Sequence, residues 1–368
     1  MRRASAAVVG LLIAGLLPPA SAAAAVLPMA KGHHGTHVRN QAASATPIGL
    51  APAQIKAAYG FSTSATAGAG KTIAIVDAYD DPNAEADLAV FDQTFGLPAC
   101  TTVNGCFKKV SQSGGTKYPP TDSGWAVEIS LDVQWAHAIA PGAKILLVEA
   151  TSASLGNLLT AENYAKTHAQ YVSNSWGTGE FSFETFFDGY FKQTGVSFFA
   201  ASGDSGTPAI WPATSPNVIA VGGTTLALDP SGNVTSETGW AGSGGGCSLY
   251  EKATTAQSGF GQYAQVNCKG KRAAPDVALD ADPVSGVAVY DSVPSGGSSG
   301  WWQVGGTSAS TPMWAARSAA AGAVVTSAYV YGGSITYRDI TSGSNGGATC
   351  LPGYDLVTGR GSWTGATP

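Results

Sequence analysis

The chain has 368 residues, of which 12% are charged, and its formal net charge is −5 at neutral pH. This length is sufficient for one large or two ordinary domains with a buried core. The weakly negative composition provides no basic surface for nucleic acid, and no stretch beyond the N-terminus approaches the ~20 apolar residues that cross a membrane. We therefore expect a globular protein that binds neither nucleic acid nor membranes.

The N-terminus has the three parts of a secretory signal peptide. Arg2-Arg3 is followed by an apolar run from Ala6 to Leu17 and by the small residues Ala20-Ser21-Ala22. The apolar run is too short for a typical membrane span, and a cleavage-type sequence follows it. We predict that residues 1–24 are a signal peptide and that the protein is secreted and extracellular.

Residues 25–47 are rich in alanine, histidine, serine and threonine and lack hydrophobic periodicity. Such a composition predicts a linker or a remnant pro-segment. Residues 48–368 are then the folded domain.

The five cysteines are consistent with an exported protein, in which disulfides can form. Cys100 and Cys106 enclose one short loop, and Cys247 and Cys268 enclose another, so we pair them by proximity and leave Cys350 without a partner. The chain contains no CxxC, and its histidines are not beside the cysteines, which argues against a zinc site.

Short apolar runs alternate with helical patterns along the chain. Such alternation predicts a mostly parallel sheet with helices on both faces. The predicted strands are 71–77, 144–148, 171–173, 196–200, 218–221 and 286–290, and the predicted helices begin at Pro52 or span 124–139, 155–168 and 184–194. Sites in such sheets form at the carboxyl ends of the strands, where the sequence has Asp77, Asn174–Gly177 and Ser202–Gly206.

The segment Gly305–Ala316 reads GGTSASTPMWAA. Its two glycines allow a sharp turn, and the small residues after them favour a helix, so we expect Ser308 at the start of a buried helix. The positive end of that helix would then face an oxyanion formed beside the Ser308 hydroxyl. A Gly-Thr-Ser turn alone is more often an ordinary helix cap, but the longer string is similar to the nucleophile segment of the subtilisin-like superfamily.

Glu128 and Asp132 lie four residues apart in a segment that is otherwise apolar and predicted to be helical. This spacing places both carboxyl groups on one face of the helix. On a solvated surface the pair has little significance, whereas in a dry cleft the two acids share a proton and one apparent pKa rises. Their uncharged surroundings favour the second interpretation.

Four motifs in this order resemble those of the sedolisins, the serine-carboxyl peptidases: ExxLDVQWAHAIAPGA, SNSWG, SGDSG and GGTSASTP. The resemblance extends from about Pro52 to Asp355. It implies a subtilisin-like α/β fold with a mostly parallel central sheet and helices on both faces. It also implies a sedolisin-like peptidase domain over 48–368, an acid-active endopeptidase that acts as a monomer on protein or peptide substrates.

The same resemblance implies a role for each matching residue. Ser308 corresponds to the nucleophile, Glu128 to the general base, Asp132 to the acid that orients Glu128, and Asp204 to the acid of the oxyanion hole. A base and a donor that are both carboxyl groups require low pH. The segment that would hold the substrate as an extended strand consists of Ser173, Asn174, Ser175, Trp176 and Gly177.

The C-terminal part resembles the calcium site of the same family. Asp339-Ile340-Thr341 is followed by Gly353-Tyr354-Asp355. The resemblance implies one Ca²⁺, bound by the side chains of Asp339 and Asp355 and by the carbonyls of Ile340 and Gly353, with Leu351 as a further candidate. Carboxylate and carbonyl oxygens are the ligands that calcium prefers.

Two alternatives stay open. Asp77, His137 and Ser308 stand in the order of the subtilisin triad, but His137 lacks the surroundings of a subtilisin histidine, so we interpret it as a packed residue and Asp77 as structural. The histidine-rich segment 33–38 also resembles that motif, yet it precedes the first predicted strand. An inactive sedolisin-like protein is the other alternative, because the segment 312–339 is shorter than the family pattern and no long prodomain is recognisable.

Overall fold

The computed structural model describes residues 31–32 and 43–365. The predicted signal peptide, most of the predicted linker and the histidine-rich segment lie outside these residues. The α-helices of the described chain are α1 (Pro52–Tyr59), α2 (Ala84–Phe95), α3 (Ser123–Ile139), α4 (Leu155–Ala165), α5 (Thr255–Ser258), α6 (Thr307–Ala321) and α7 (Ser327–Tyr331).

The strands of the described residues fall into one large sheet and several small ones. They are β1 (Lys31–Gly32), β2 (Thr72–Ala78), β3 (Phe107–Ser111), β4 (Lys144–Ala150), β5 (Tyr171–Asn174), β6 (Trp176–Gly179), β7 (Ser197–Ala201), β8 (Ile210–Trp211), β9 (Ile219–Leu228), β10 (Val234–Gly239), β11 (Gly246–Lys252), β12 (Lys271–Ala274), β13 (Val277–Asp280), β14 (Val287–Ser295), β15 (Ser298–Val304), β16 (Tyr337–Arg338) and β17 (Ser362–Trp363).

The large sheet has the strand order β16-β17-β13-β9-β7-β5-β2-β4-β3, with β10 paired to β9. All pairs from β17 to β3 are parallel, and the two outer pairs, β16 with β17 and β10 with β9, are antiparallel. Parallel strands need crossover helices, which cover both faces of such a sheet. The predicted fold class, α/β with a mostly parallel central sheet, is confirmed.

Strand β2 shows how the sequence produces these two covered faces. Ile73 and Ile75 belong to the apolar core that also contains residues of α3 and α6. Ala74 and Val76 point to the opposite side and join the core beneath α4. A strand that is buried on both faces needs a continuous apolar run, which is the pattern by which the sequence predicted it.

One predicted helix differs from the observed structure. The segment predicted to be helical over Glu184–Thr194 forms a 3₁₀ helix over Glu184–Phe191. Its aromatic residues and Gly189 are weak α-helix formers, and 3₁₀ turns are common where α-helical propensity is low.

Both predicted disulfides are present, Cys100–Cys106 and Cys247–Cys268, and Cys350 is a buried free thiol. Among the described residues, no helix combines the length and the apolar character needed to cross a membrane.

Candidate active site

Two glycines determine where α6 begins. A side chain on Gly305 would come within 2.4 Å of the backbone nitrogen of Pro283, and Gly306 has a positive φ of 98°. The Gly306 N–H donates to the carbonyl of Ala281 over 2.6 Å. These constraints place Ser308 in the first turn of a buried helix, as the sequence predicted, and its side chain is 0% exposed.

Pro312 ties this helix to another part of the site. Because proline has no N–H, the carbonyl oxygen of Ser308 lacks its usual donor within the helix. The hydroxyl of Ser175 lies 3.5 Å from that oxygen and donates to it. The junction of β5 and β6 is therefore joined to the first turn of α6.

Helix α3 carries the two predicted acids. Asp122 caps it by accepting hydrogen bonds from the backbone N–H groups of Gly124 and Trp125, each over 3.0 Å. All residues from Trp125 to Ile139 are buried, and α3 packs against α6. Glu128 and Asp132 are consequently both 0% exposed, which excludes the interpretation as two acids on a solvated helix face.

Burial raises the pKa of Glu128 well above its usual range, and Asp77 and Asp204 raise it further, whereas the Ser308 hydroxyl lowers it. The Ser308–Glu128 contact lies outside ordinary hydrogen-bond geometry, since neither Ser308 Oγ nor either Glu128 oxygen has a partner within those limits. In ligand-free enzymes such contacts are often long and tighten when substrate binds. Glu128 is thus adjacent to Ser308 and electrostatically coupled to two further acids.

Asp132 belongs to the same group. Its pKa is raised well above the usual range by burial and by the neighbouring Asp77 and Glu128, while Ser175 lowers it through its hydroxyl. Burial also raises the pKa of Asp77 to about 7. We call Asp77, Glu128 and Asp132 the carboxyl cluster.

Asp77 is the member of the carboxyl cluster that the sequence did not place beside Glu128 and Asp132. We interpreted it as a structural residue, but it is fully buried and influences both Glu128 and Asp132. The available signal was its position at the carboxyl end of β2, the edge at which sites in parallel sheets form.

The SGDSG loop contacts the turn that precedes Ser308. Asp204 Oδ1 accepts hydrogen bonds from the Thr307 backbone N–H over 2.6 Å and from the Thr307 hydroxyl over 2.8 Å. The N–H of Gly203 donates to the same hydroxyl oxygen over 3.1 Å. Asp204 is partly buried, in contrast to the carboxyl cluster, and it lies close enough to affect the pKa of Glu128.

The predicted substrate segment runs from the end of β5 into β6. Its side chains from Ser173 to Trp176 are fully buried, and the Trp176 indole donates to the carbonyl of Val76 over 3.0 Å. The backbone edge of β6 pairs with β1 in antiparallel fashion, Lys31 opposite Gly177 and Gly32 opposite Trp176. This edge therefore accepts an extended chain.

His137 lies elsewhere on α3. Its Nε2 is 2.8 Å from the carbonyl of Pro98 and 3.4 Å from Asp92 Oδ1. Burial lowers its pKa to about 4, with a further lowering by Lys56. These partners belong to the region around the end of α2, so the imidazole is packed in the core as interpreted and takes no part in the carboxyl cluster.

The two acids predicted to bind calcium approach the same loop near the C-terminus. Both carboxylate oxygens of Asp339 accept from the Gly353 N–H, over 3.0 and 2.9 Å. Asp355 Oδ1 accepts from the N–H groups of Val357 and Thr358 over 2.8 and 2.7 Å. Asp339 is thus hydrogen-bonded to the backbone of the loop that contains Gly353 and Asp355.

Comparisons with known proteins agree with this fold. The model of the subtilase family matches residues 120–341, which contain α3, the SNSWG and SGDSG motifs and Ser308. Kumamolisin of Bacillus sp. (strain MN-32) is 32% identical, over 87% of this chain and 63% of its own length. Xanthomonalisin of Xanthomonas sp. (strain T-22) is 30% identical, over 89% of this chain and 47% of its own.

A solved structure gives the same result. Pseudomonas sedolisin, described as a serine-carboxyl proteinase and complexed with two molecules of pseudo-iodotyrostatin, superposes with a TM-score of 0.71 at 28% identity, over 86% of this chain and 96% of that one. The chain belongs to the subtilase family. Its similarity to these proteins places it in the sedolisin group of that family. The chain spans less than two thirds of the length of kumamolisin and xanthomonalisin.

Proposed function

We propose that this protein is an acid-active serine-carboxyl endopeptidase that hydrolyses protein or peptide substrates through an acyl-enzyme. The observation that supports this most is that Glu128 and Asp132 are completely buried, with Glu128 beside Ser308 and Asp77 as a third acid. The membership of the sedolisin group agrees with it. We further propose that the protein is exported by the signal peptide at 1–24 and acts as a monomer.

Ser308 acts as the nucleophile and Glu128 as the general base. The Ser308 oxygen bonds to the substrate carbonyl carbon while its proton passes to Glu128, and the carbonyl oxygen becomes an oxyanion. Glu128 then gives the proton to the leaving amine as the peptide bond breaks, and water releases the acyl group by the reverse steps. A carboxylate with a raised pKa is a stronger base than an exposed one, and Asp132 orients Glu128 from the adjacent helical turn.

Asp204 stabilises the oxyanion. In its protonated form it donates a hydrogen bond, and the positive end of α6 faces the same region. The contact of Asp204 with Thr307, the residue before Ser308, supports this position. A donor of this kind is lost on ionisation, so activity requires acidic pH.

The substrate backbone binds along the segment Ser173–Gly177 as an extended strand. The support is the pairing of Trp176 and Gly177 with β1, since a substrate strand can use the same N–H and carbonyl groups.

We also propose that the C-terminal loop binds one Ca²⁺. The site would consist of the carboxylates of Asp339 and Asp355 and the carbonyls of Ile340 and Gly353, with Leu351 as a further candidate. This donor set is all oxygen, as calcium requires. A bound ion would stabilise the native state. Treatment with a chelator should lower Tm, and Asp339→Asn should reduce the size of that decrease; a decrease that Asp339→Asn leaves unchanged contradicts this part of the proposal.

The test is hydrolysis of a peptide substrate between pH 3 and pH 8 by the wild type and by Ser308→Ala. We expect a maximum below pH 6 and loss of activity in the variant, with both proteins folded by circular dichroism. A maximum above neutrality, or full activity of Ser308→Ala, overturns the proposed mechanism. A folded wild type without activity at any pH supports the alternative of an inactive relative that binds peptides.

A further inference from the structure

A second group of buried acids contains none of the residues assigned to catalysis or to the C-terminal turn. Asp81 follows β2, Asp87 lies in the first turn of α2, and Asp291 lies in β14. One carboxylate oxygen of each lies within 4.8 Å of the others. Their exposed fractions are 0%, 2% and 0%. Three carboxyl groups this close and this dry require either protons or a cation to offset their repulsion.

Hydrogen bonds satisfy part of this group. Asp81 Oδ1 accepts from the Asn83 backbone N–H over 2.8 Å, and its Oδ2 accepts from the Ser130 hydroxyl over 3.3 Å. Asp87 Oδ2 accepts from the Ser292 N–H over 2.8 Å. These contacts fix the orientation of two carboxyl groups that belong to different elements.

Asp291 is only half satisfied. Its Oδ1 accepts from the Val293 N–H over 2.9 Å, whereas its Oδ2 is buried and has no hydrogen-bond donor. The carboxyl group faces Asp81 and Asp87, which both act on it electrostatically. A carboxyl group that has a buried oxygen without a donor and lies beside two other carboxyl groups is unusual in a stable core unless a cation contacts it.

Lys109, the positive charge that acts on Asp81, already pairs with other acids. Lys109 Nζ lies 2.6 Å from Asp80 Oδ1 and 3.6 Å from Glu149 Oε1, and it donates to the backbone carbonyl of Asp81 over 2.8 Å. Lys109 thus approaches the main chain of Asp81 and pairs with other acids. Its single charge does not neutralise three further carboxylates.

We propose that Asp81, Asp87 and Asp291 bind one divalent cation, with Ca²⁺ as the preferred ion. Calcium takes oxygen ligands at about 2.3–2.6 Å, so the ligands of one ion lie within roughly 5 Å of one another. The three carboxylate oxygens meet this condition without rearrangement, and the Ser130 hydroxyl adds a neutral oxygen beside them. Binding would connect the loop after β2 and the start of α2 to β14.

Calcium stoichiometry tests the site separately from the C-terminal turn. Full-length protein in the Ser308→Ala background, which prevents self-digestion, is treated with chelator, dialysed against Ca²⁺ at pH 6.5 and assayed for bound metal. If both sites exist, two ions bind, Asp291→Asn and Asp339→Asn each bind one, and the double variant binds none. If the C-terminal proposal is wrong, one ion binds and Asp291→Asn alone removes it. A stoichiometry that Asp291→Asn leaves unchanged overturns the inference.

Thermal unfolding distinguishes a metal ligand from a structural acid. In chelator, Asp291→Asn should melt at or above the Tm of the parent protein, because one of three adjacent acids has become neutral. In Ca²⁺ it should lack the part of the Tm increase that this site contributes. An equal fall of Tm in chelator and in Ca²⁺ contradicts the proposal. Asp87→Asn should give the same two results and replaces Asp291→Asn if that variant does not fold.

Discussion

Buried carboxyl groups occur in this protein in two opposite environments. Asp276 accepts hydrogen bonds from the Arg272 guanidinium on both oxygens, from the Ala220 N–H over 2.8 Å and from the Tyr331 hydroxyl over 2.6 Å. Every oxygen of this group has a donor, and a permanent cation balances its charge. A carboxylate held in this way is fixed in position.

Glu128 and Asp132 are just as deeply buried, yet none of their four oxygens has a donor within ordinary hydrogen-bond geometry. Other acids, and no arginine or lysine, are the charged groups that act on their pKa values. Such groups can gain and lose protons because their surroundings do not fix one ionisation state. The difference shows that burial alone does not identify a functional acid, because Asp276 and Glu128 are both buried and differ in the charged groups around them.

The largest expected effect is on catalysis by Glu128→Gln. The amide cannot accept the Ser308 proton, so kcat/KM at the pH optimum should fall by roughly 10³–10⁴-fold. Tm should not decrease, because a neutral group replaces an uncompensated acid. Steady-state kinetics and calorimetry measure both quantities.

The matched control is His137→Gln, the same amide at the other candidate base on the same helix. It should retain kcat/KM in the folded fraction. Loss of activity in His137→Gln together with survival in Glu128→Gln would reverse the assignment.

Asp276→Asn should lower stability and leave activity nearly unchanged, the opposite of the result expected for Glu128→Gln. It leaves the buried Arg272 without its counter-ion, which typically costs about 3–5 kcal/mol of unfolding free energy. The activity of the folded fraction should stay within about twofold of the parent, since the change lies outside the carboxyl cluster. Urea denaturation measures the stability, and kinetics at urea concentrations below the unfolding transition measure the activity. If Asp276→Asn is as stable as Glu128→Gln, the two environments do not differ as described.

A third prediction concerns pH and stability. Glu184 and Glu251 are buried side chains whose pKa values are raised to about 9 and about 8, mainly by burial and with a further contribution from neighbouring acids. A raised folded-state pKa gives stability that is complete below the ordinary glutamate value of about 4.3 and is lost as the pH rises through the folded value. Unfolding free energy should therefore fall between pH 5 and pH 9, by at least about 1.4 kcal/mol, the equivalent of one pKa unit.

Urea denaturation at pH 4, 6 and 8 in the Ser308→Ala background measures this slope. Glu184→Gln should flatten it, because the amide does not titrate. A stability that rises from pH 4 to pH 8 in the parent protein contradicts the prediction.

The smallest expected effect is that of Asp77→Asn. Asp77 raises the pKa of Glu128, so its neutralisation should move the acidic limb of the kcat/KM profile to lower pH and reduce the maximum by roughly tenfold. A pH–rate profile resolves the shift. If Asp77→Asn instead lowers Tm and leaves the acidic limb of the pH–rate profile unchanged, Asp77 is a structural residue, as the sequence analysis interpreted it.

The sequence predicted the central strands and α3 because a strand or helix buried on all sides has to be apolar along its whole length. It also indicated Ser308, Glu128, Asp132 and Asp204, since each lies in a local motif whose residues are consecutive in the chain. The 3₁₀ helix was missed because aromatic residues fit either kind of helix.

The remaining features depend on tertiary contacts. Asp77 joins the carboxyl cluster because the end of β2 faces α3. No local sequence pattern predicts that contact. Asp81 and Asp291 are more than two hundred positions apart in the chain and meet only because β14 packs against α2 and α3. No spacing rule connects such residues, so the sequence gives no signal for this group.

The pairing of β1 with β6 has a consequence for access to the proposed cleft. A strand edge can hold one neighbour at a time, so a peptide and Lys31–Gly32 exclude each other at Trp176 and Gly177. On the proposed path, a bound substrate strand would therefore have to displace Lys31–Gly32 from this edge.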